Sequence, residues 1–496
     1  MTEIYFSDYF SLEPDILEEY GAFNVSLIND LPLFVDPFLL FNSENNVYQQ
    51  LHAEIIDYMR FLKEVSLAGQ VPDSLVREWF TFPEVKQNWL GLSKAGNQGH
   101  GLGMDFARAL QRNLNSVFRD FGEEKITRSS HIEKLCLIKN GVGRDNISDF
   151  TTNLIKYYLA NYTQEFALRY LKKSQRRRVA LRKVRFNYDT RSWTTEYFEL
   201  PYYRIELPNP HNDFVLLTPK DILTKDEAWI NRTDLLDRFP EIARALPDAM
   251  LRAQVNEYLV RTIPRGPKVT RKDVRTAVSG AVERFPQVLD YYIRIKEDSG
   301  HQAVSYAEAQ VRNVEQIFIR QVQLLVSQFL DPGGFYQIGY NTHEEAYKRL
   351  LFLKDVIENK GGYKIFYIND KPIEREADLQ LLYRLTWYAT PSDVTREAND
   401  GRGSADFKIS RGATDKTIVE FKLANNTQLE RNLEKQCKIY EAASDSTQPS
   451  IKAIIYFNDK ELRKVKRILM RLDLEGDPNI VLIDACNYNK PSGSNA

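Results

Sequence analysis

Apolar and polar positions alternate with a period of two through residues 404–424, the pattern of strands whose side chains point to opposite faces. In 404–410 the apolar set is Ala405, Phe407 and Ile409, and Asp406 falls on the other face with Ser404 and Lys408. In 417–424, Val419, Phe421 and Leu423 share one face, and Glu420 and Lys422 the other. The link 411–416 holds Gly412 and Asp415, which suits a hairpin turn with a positive φ. A helix is predicted next, because Thr427-Gln428-Leu429-Glu430 follows the turn formers Asn425 and Asn426 in the pattern of a capping box. Gln436 and Tyr440, four residues apart, share a face of that helix. Strands at 451–457 and 480–485 flank an amphipathic helix at 459–472. Upstream, the pattern predicts a strand at 363–368, a helix from about 374 and a short strand at 386–390.

The rest of the chain divides by periodicity. The apolar segment 23–41, FNVSLINDLPLFVDPFLLF, reads as two or three short buried strands with a turn at Asp36-Pro37, and helices are predicted at 48–67 and 75–84. Two Gly-rich stretches precede helices. One, with Lys94, Gly96, Gly99, His100, Gly101 and Gly103, could present backbone amides to a phosphate, although it lacks the Gly-Lys-Ser/Thr of a nucleotide-binding loop. The other, with Gly141 and Gly143, leads into a helix capped by Asp145 or Ser148. Strands follow at 194–200 and 213–217, and a long helix at 305–329 carries Val311, Val314, Phe318, Val322 and Leu325 at packing spacing. The expected architecture is a multidomain α/β protein: an α+β N-terminal domain (1–239), a helical connecting region (240–360) and a C-terminal domain (361–496).

Charge changes the picture only locally. The 496 residues balance 67 Lys and Arg against 68 Asp and Glu, so an anion-binding surface has to come from clustering. Such a cluster exists between Arg169 and Arg185: nine basic residues and no acid, among them Lys172, Lys173, Arg176, Arg177, Arg178, Arg182, Lys183 and Arg185. These residues are candidates for nucleic-acid backbone contact. Three scattered cysteines, Cys136, Cys437 and Cys486, imply a reducing cytoplasmic setting rather than a disulfide framework. No apolar run is long enough for a membrane span, so no membrane partner is expected.

The chemistry concentrates on the hairpin. Pairing its strands brings Asp406 beside Glu420, and two carboxylates with an ammonium, backed by apolar side chains, form an oxygen-ligand site for a hard divalent cation with Lys422 near a bound water.

An acidic residue, a hairpin, a Glu-x-Lys and a helix with Gln-x-x-x-Tyr together resemble the PD-(D/E)XK nuclease superfamily, in its RecB-type branch, over roughly residues 374–485. The resemblance implies a restriction-endonuclease-like αβββαβ core. It also implies Mg²⁺ or Mn²⁺ held by Asp406 and Glu420, a water-orienting or deprotonating Lys422, and Gln436 and Tyr440 flanking the site. The family's upstream acid would be Glu376, with Glu397 as a rival. Ser404-Ala405-Asp406 stands where the motif's proline would be. The implied activity is endonucleolytic hydrolysis of nucleic acid, DNA favoured. Residues 30–43, DLPLFVDPFLLFNS, are part of a look similar to uncharacterised bacterial proteins of defence islands, which implies an anti-phage effector working with a homo-oligomer or a defence-system partner. A DNA repair or recombination nuclease and a non-catalytic nucleic-acid-binding scaffold are the alternatives.

Overall fold

Element boundaries come from a computed structural model, which describes residues 4–69, 71–91, 103–114, 121–138, 144–205, 211–225, 227–264, 270–330, 332, 341–368, 371–373, 375–387, 390, 392–399, 404–412, 415–436 and 449–490. The chain is mixed α/β with several sheets. Lys94, Gly96, Gly99, His100, Gly101, Gly141, Gly143, Cys437 and Tyr440 lie outside the described residues.

The N-terminal apolar segment does not form the expected strands. Residues 23–41 make single bridges, Tyr5 with Ser26 and Leu31 with Leu90, and a two-residue strand, Phe34–Val35, which pairs with Leu223–Thr224. Helix α1 (Pro37–Asn42) follows, because Pro37 supplies a preset φ at the first helical position and the Asp36 carboxylate accepts from the Phe38 N–H at 3.0 Å. Helix α2 (Asn46–Leu67) is capped by the Asn45 side chain on Val47 N and buries Leu51, Ile55, Met59 and Leu62. In the helix Arg144–Leu154, Ser148 is no cap: it is buried and its hydroxyl accepts from Val35 N at 2.9 Å. Helix α3 (Lys156–Tyr170) then leads into an antiparallel sheet of β1 (Arg176–Asn187), β2 (Ser192–Ile205) and β3 (His211–Phe214). Ala160 packs with Leu181, Val184, Phe198 and Leu200 between α3 and this sheet.

Five helices between Arg232 and Glu315 build the middle of the chain. The last, α4 (Gly300–Glu315), runs on through π-helical turns to Leu330, so the expected long helix is longer than its apolar stripe.

Among the described residues, the C-terminal sheet has five strands. In chain order they are β4 (Asp393–Asn399), β5 (Ser404–Arg411), β6 (Asp415–Leu423), β7 (Ile451–Tyr456) and β8 (Ile480–Asp484), and the sheet order is β8-β7-β6-β5-β4. β4, β5 and β6 form an antiparallel meander, and β7 and β8 run parallel to β6. On one face, α5 (Thr342–Asn359) and α6 (Glu376–Thr386) bring Leu350, Leu353, Leu379 and Leu382 against Phe421, Ile455 and Ile483. On the other, α7 (Asp459–Arg471) packs Val465, Ile468 and Leu469 on Ile454 and Ala424.

Two expected strands are placed differently. In the segment 386–390, 388 and 389 lie outside the described residues, Thr386 closes α6, and Trp387 is buried with its ring under the Arg349 guanidinium, 4.9 Å away. Its place in the meander is taken by β4, an edge strand. Of 363–368, only Tyr367–Ile368 is extended, pairing with Lys371–Pro372, and Gly362–Phe366 forms a 3₁₀ turn after Gly361 at φ 83°. The capping box at 427–430 is also absent. Asn426 Oδ1 accepts from Gln428 N at 2.8 Å, and Glu430 instead pairs with Arg471.

Among the described residues, the largest of three buried apolar clusters runs from Ile4 to Ala485. The Tyr5 hydroxyl donates to the Phe318 carbonyl, and Gln323 Nε2 donates to Asp8 Oδ1 at 2.9 Å, so the first helical turn of the chain is fastened to the long helix beside the C-terminal sheet.

Candidate metal centre

The site is built on β6, buried on both faces from Thr417 onward. Its hairpin turn is anchored: the Asp415 carboxylate accepts from Thr342 N at 3.1 and 3.2 Å and from Thr342 Oγ1 at 2.6 Å, locking the turn to the start of α5. Gly412 takes φ 75°, as the turn requires. The paired register runs from Asp415 opposite Arg411 to Val419 opposite Phe407. Beyond it, the Asp406 carboxylate enters the ladder and accepts from Phe421 N at 2.7 Å. One strand face is apolar, with Tyr383 packed 4.6 Å from Phe421 and 5.1 Å from Phe407. Glu420 and Lys422 occupy the other.

Three of the predicted residues meet there. Lys422 Nζ lies 3.2 Å from Asp406 Oδ2 and 2.9 Å from Glu420 Oε2. All three side chains are nearly removed from water, at 9, 12 and 3 % exposure for Lys422, Asp406 and Glu420. Burial pushes the Asp406 carboxyl above its ordinary range, against the pull of Lys422. Burial and the adjacent Asp406 charge push Glu420 up to about 7. Burial alone would lower Lys422, but the Asp406 and Glu420 carboxylates override it and hold the amine protonated well above its usual range. The second oxygen of Glu420, Oε1, is buried and has no hydrogen-bond partner among the described residues.

Glu376, in the first turn of α6, reaches the same strand: its Oε1 accepts from Leu423 N at 3.1 Å and from Asn426 Nδ2 at 2.7 Å. Its rival Glu397 lies on β4, between Arg396 (opposite Phe407) and Ala398 (opposite Ala405), so its register position is beside Asp406. Among the described residues, no group of three or more His, Cys, Asp or Glu side chains is arranged to hold a metal ion. The donors that do fit a hard cation are Asp406 and Glu420, whose unsatisfied Oε1 is an open oxygen ligand. Gln436 ends the π-helical turn Asn432–Gln436.

Two features were not anticipated from sequence. Lys452 on β7 stands in register with Glu420 and is buried, which adds a second lysine beside the carboxylates. IKAIIYF signals a strand, but which residue it sets beside Glu420 depends on the pairing register. The other is a buried polar cluster around His131. Its Nε2 lies 2.9 Å from Glu297 Oε1, while the two Glu297 oxygens accept from Arg128 N at 2.9 and 2.8 Å. Nearby, the Asp36 carboxylate also accepts from Trp229 N at 2.8 Å, and burial raises Asp36 to about 6 and lowers His52 to about 3. The main-chain partners of Asp36 and Glu297 make this cluster a staple between segments distant in sequence.

From Arg176 on, the basic run forms β1, whose partners sort it. Arg176 donates to the Ala167 carbonyl at 3.2 Å and faces Glu199 at 3.4 Å. Arg177 stacks 4.0 Å over Tyr202, Arg178 4.9 Å over Tyr197 and Arg185 3.7 Å over Tyr157. Lys183 donates to the Glu78 carbonyl at 2.7 Å. Lys172, Lys173 and Arg182 are exposed.

Among the described residues, no helix is long and apolar enough to cross a membrane. Two family models match the chain, both described as domains of unknown function: DUF8370 over residues 11–231 and DUF8371 over residues 342–459. The second spans the whole candidate site. No curated protein matches the chain. No solved structure matches it either.

Proposed function

We propose that the C-terminal part of the chain is a metal-dependent nuclease that hydrolyses phosphodiester bonds, with DNA as the favoured substrate. The observation that carries this reading is the buried set Asp406, Glu420 and Lys422, with Glu420 Oε1 left without a donor among the described residues. The order helix, three strands, helical turn, strand from Glu376 to Tyr456 supports a restriction-endonuclease-like core.

Asp406 and Glu420 would hold Mg²⁺ or Mn²⁺, with Glu376 or Glu397 as the further acid. When bound, the ion polarises the scissile phosphate and acidifies a coordinated water. Lys422 is held protonated by its two carboxylates, so it positions the water and balances charge gathering on the phosphate rather than removing a proton. Lys452, beside Glu420, adds positive charge on the same strand pair. Gln436 and Tyr440 flank the site in the family this hairpin resembles. A cytoplasmic setting suits the buried free thiols Cys136 and Cys486. The anti-phage context rests on resemblance alone.

The test is purified full-length protein with Mg²⁺ or Mn²⁺ against plasmid, linear duplex, single-stranded DNA and RNA. Cleavage is expected to require the ion and to vanish in Asp406→Ala and Lys422→Ala proteins that keep the wild-type circular dichroism. Undiminished metal-dependent nicking by both variants refutes the assignment. Preferential cutting of forks or junctions would move the role to repair or recombination. A protein that neither cleaves nor binds Mn²⁺ is a scaffold.

A further inference from the structure

The register of the β1/β2 hairpin separates basic residues that hold the fold from those that do not. Arg178 opposite Glu199, Ala180 opposite Tyr197 and Arg182 opposite Thr195 alternate with Val179 and Leu181, which pack inward with Phe198 and Leu200. Arg178, Ala180 and Arg182 therefore lie on the outer face, where all three are exposed. The alternation stops after Arg182 at a register shift, where Lys183 adopts φ 51° and turns its amine to the Arg77 and Glu78 carbonyls. Arg185 covers Tyr157 on α3. Among the described residues, Arg182 has no carboxylate within ion-pair distance, and the one acid on this outer face, Glu199, faces Arg176 at 3.4 Å. Glu196, opposite Leu181, accepts from Thr194 Oγ1.

The outer face also carries an aromatic ring. Tyr197 is 62 % exposed, and the Arg178 guanidinium lies 4.9 Å from its centroid. A flat strand surface that offers an exposed ring beside unneutralised guanidinium groups can stack a base and contact the adjoining phosphates. A duplex hides its base faces, so the ring favours an unpaired strand. We propose that the outer face of this hairpin, centred on Arg178, Arg182 and Tyr197, is a docking platform for single-stranded nucleic acid. The nuclease reading enters only in the choice of nucleic acid over other polyanions.

The experiment separates the two readings by using full-length Asp406→Ala protein in metal-free buffer, so binding is read without cleavage. Affinity for a fluorescent single-stranded oligonucleotide of mixed sequence is measured across a salt series. Arg178→Gln with Arg182→Gln is expected to lower the logarithmic salt slope by roughly 1.4, two phosphate contacts' worth. Tyr197→Ala is expected to weaken binding on the order of tenfold with the salt slope unchanged. All three positions are exposed, and unchanged thermal melting of the variants confirms that the fold is kept. Wild-type affinity in both variants overturns the proposal. So does loss of heparin or anionic-vesicle binding that parallels the oligonucleotide in the arginine variant while Tyr197→Ala has no effect, since that identifies a general polyanion surface. Equal affinity for duplex DNA, insensitive to Tyr197, overturns the single-strand assignment.

Discussion

Lys422 Nζ sits 2.9 Å from one oxygen of Glu420 while the other oxygen of the same carboxylate is buried with no donor among the described residues. A buried acceptor left unsatisfied costs about 1–3 kcal/mol, and here it lies beside a second carboxylate, Asp406. The ammonium thus balances a site with more negative charge than it neutralises, which is the arrangement a cation would complete.

Replacing Lys422 by Met leaves Asp406 and Glu420 facing each other away from water. Removing one partner from a buried ionic set costs about 3–5 kcal/mol, so denaturant unfolding at neutral pH should show a loss near the lower figure. Millimolar Mn²⁺ should restore part of it in this variant and none of it in Lys422→Met with Glu420→Gln.

The raised pKa of Glu420 sets a pH dependence with a definite sign. Its folded value of about 7 lies above its unfolded value, so the fold binds the proton more tightly than the unfolded chain does. The stabilisation is complete below the unfolded value and is lost as pH rises through about 7. A bound divalent ion needs the ionised form, so Mn²⁺ affinity should climb with pH up to about 7 and level off above it. Calorimetry in two buffers of different ionisation enthalpy should detect proton release on binding at pH 6 and little at pH 8.

Glu376→Gln tests whether that residue is a ligand or a positioning group. The amide oxygen can still accept from Leu423 N and Asn426 Nδ2, so melting should stay within about 0.5 kcal/mol of wild type. Cleavage should fall by no more than about tenfold if Oε1 serves the strand end alone, against complete loss in Asp406→Asn.

Asp36 holds two segments through separate oxygens, Oδ1 to Phe38 N and Oδ2 to Trp229 N. Asp36→Asn keeps one acceptor and should cost about 1–2 kcal/mol, whereas Asp36→Ala strands both buried N–H groups and should cost about 2–4 kcal/mol. Urea unfolding of the two variants distinguishes these values.

The hairpin of β5 and β6 was legible because alternation survives in a strand apolar on one face and charged on the other; the set Asp406, Glu420, Lys422 followed from it. β4 was missed because DVTREAN carries almost no apolar residues, as an edge strand can, while the aromatic TWYAT attracted the strand assignment, though its Trp387 serves core packing after α6. The part of 23–41 that forms α1 reads as strand because a short apolar run fits either buried element. The discriminating signal was present in Asp36-Pro37, a capping acid before a proline at the first helical position. Lys452 was invisible for a different reason: its neighbour is fixed by a parallel pairing of strands separated by residues 424–450, which no local pattern encodes.

The unbroken apolar cluster from Ile4 to Ala485 bears on how the molecule melts. Stretches that match separate family models share this interior, and what each keeps to itself is a much smaller cluster, around Ala160 in one and around Ile454 in the other. Heating should give one transition, and a cavity made at Phe6 should lower the temperature at which the sheet bearing Glu420 loses its amide protection by as much as it lowers that of the N-terminal helices.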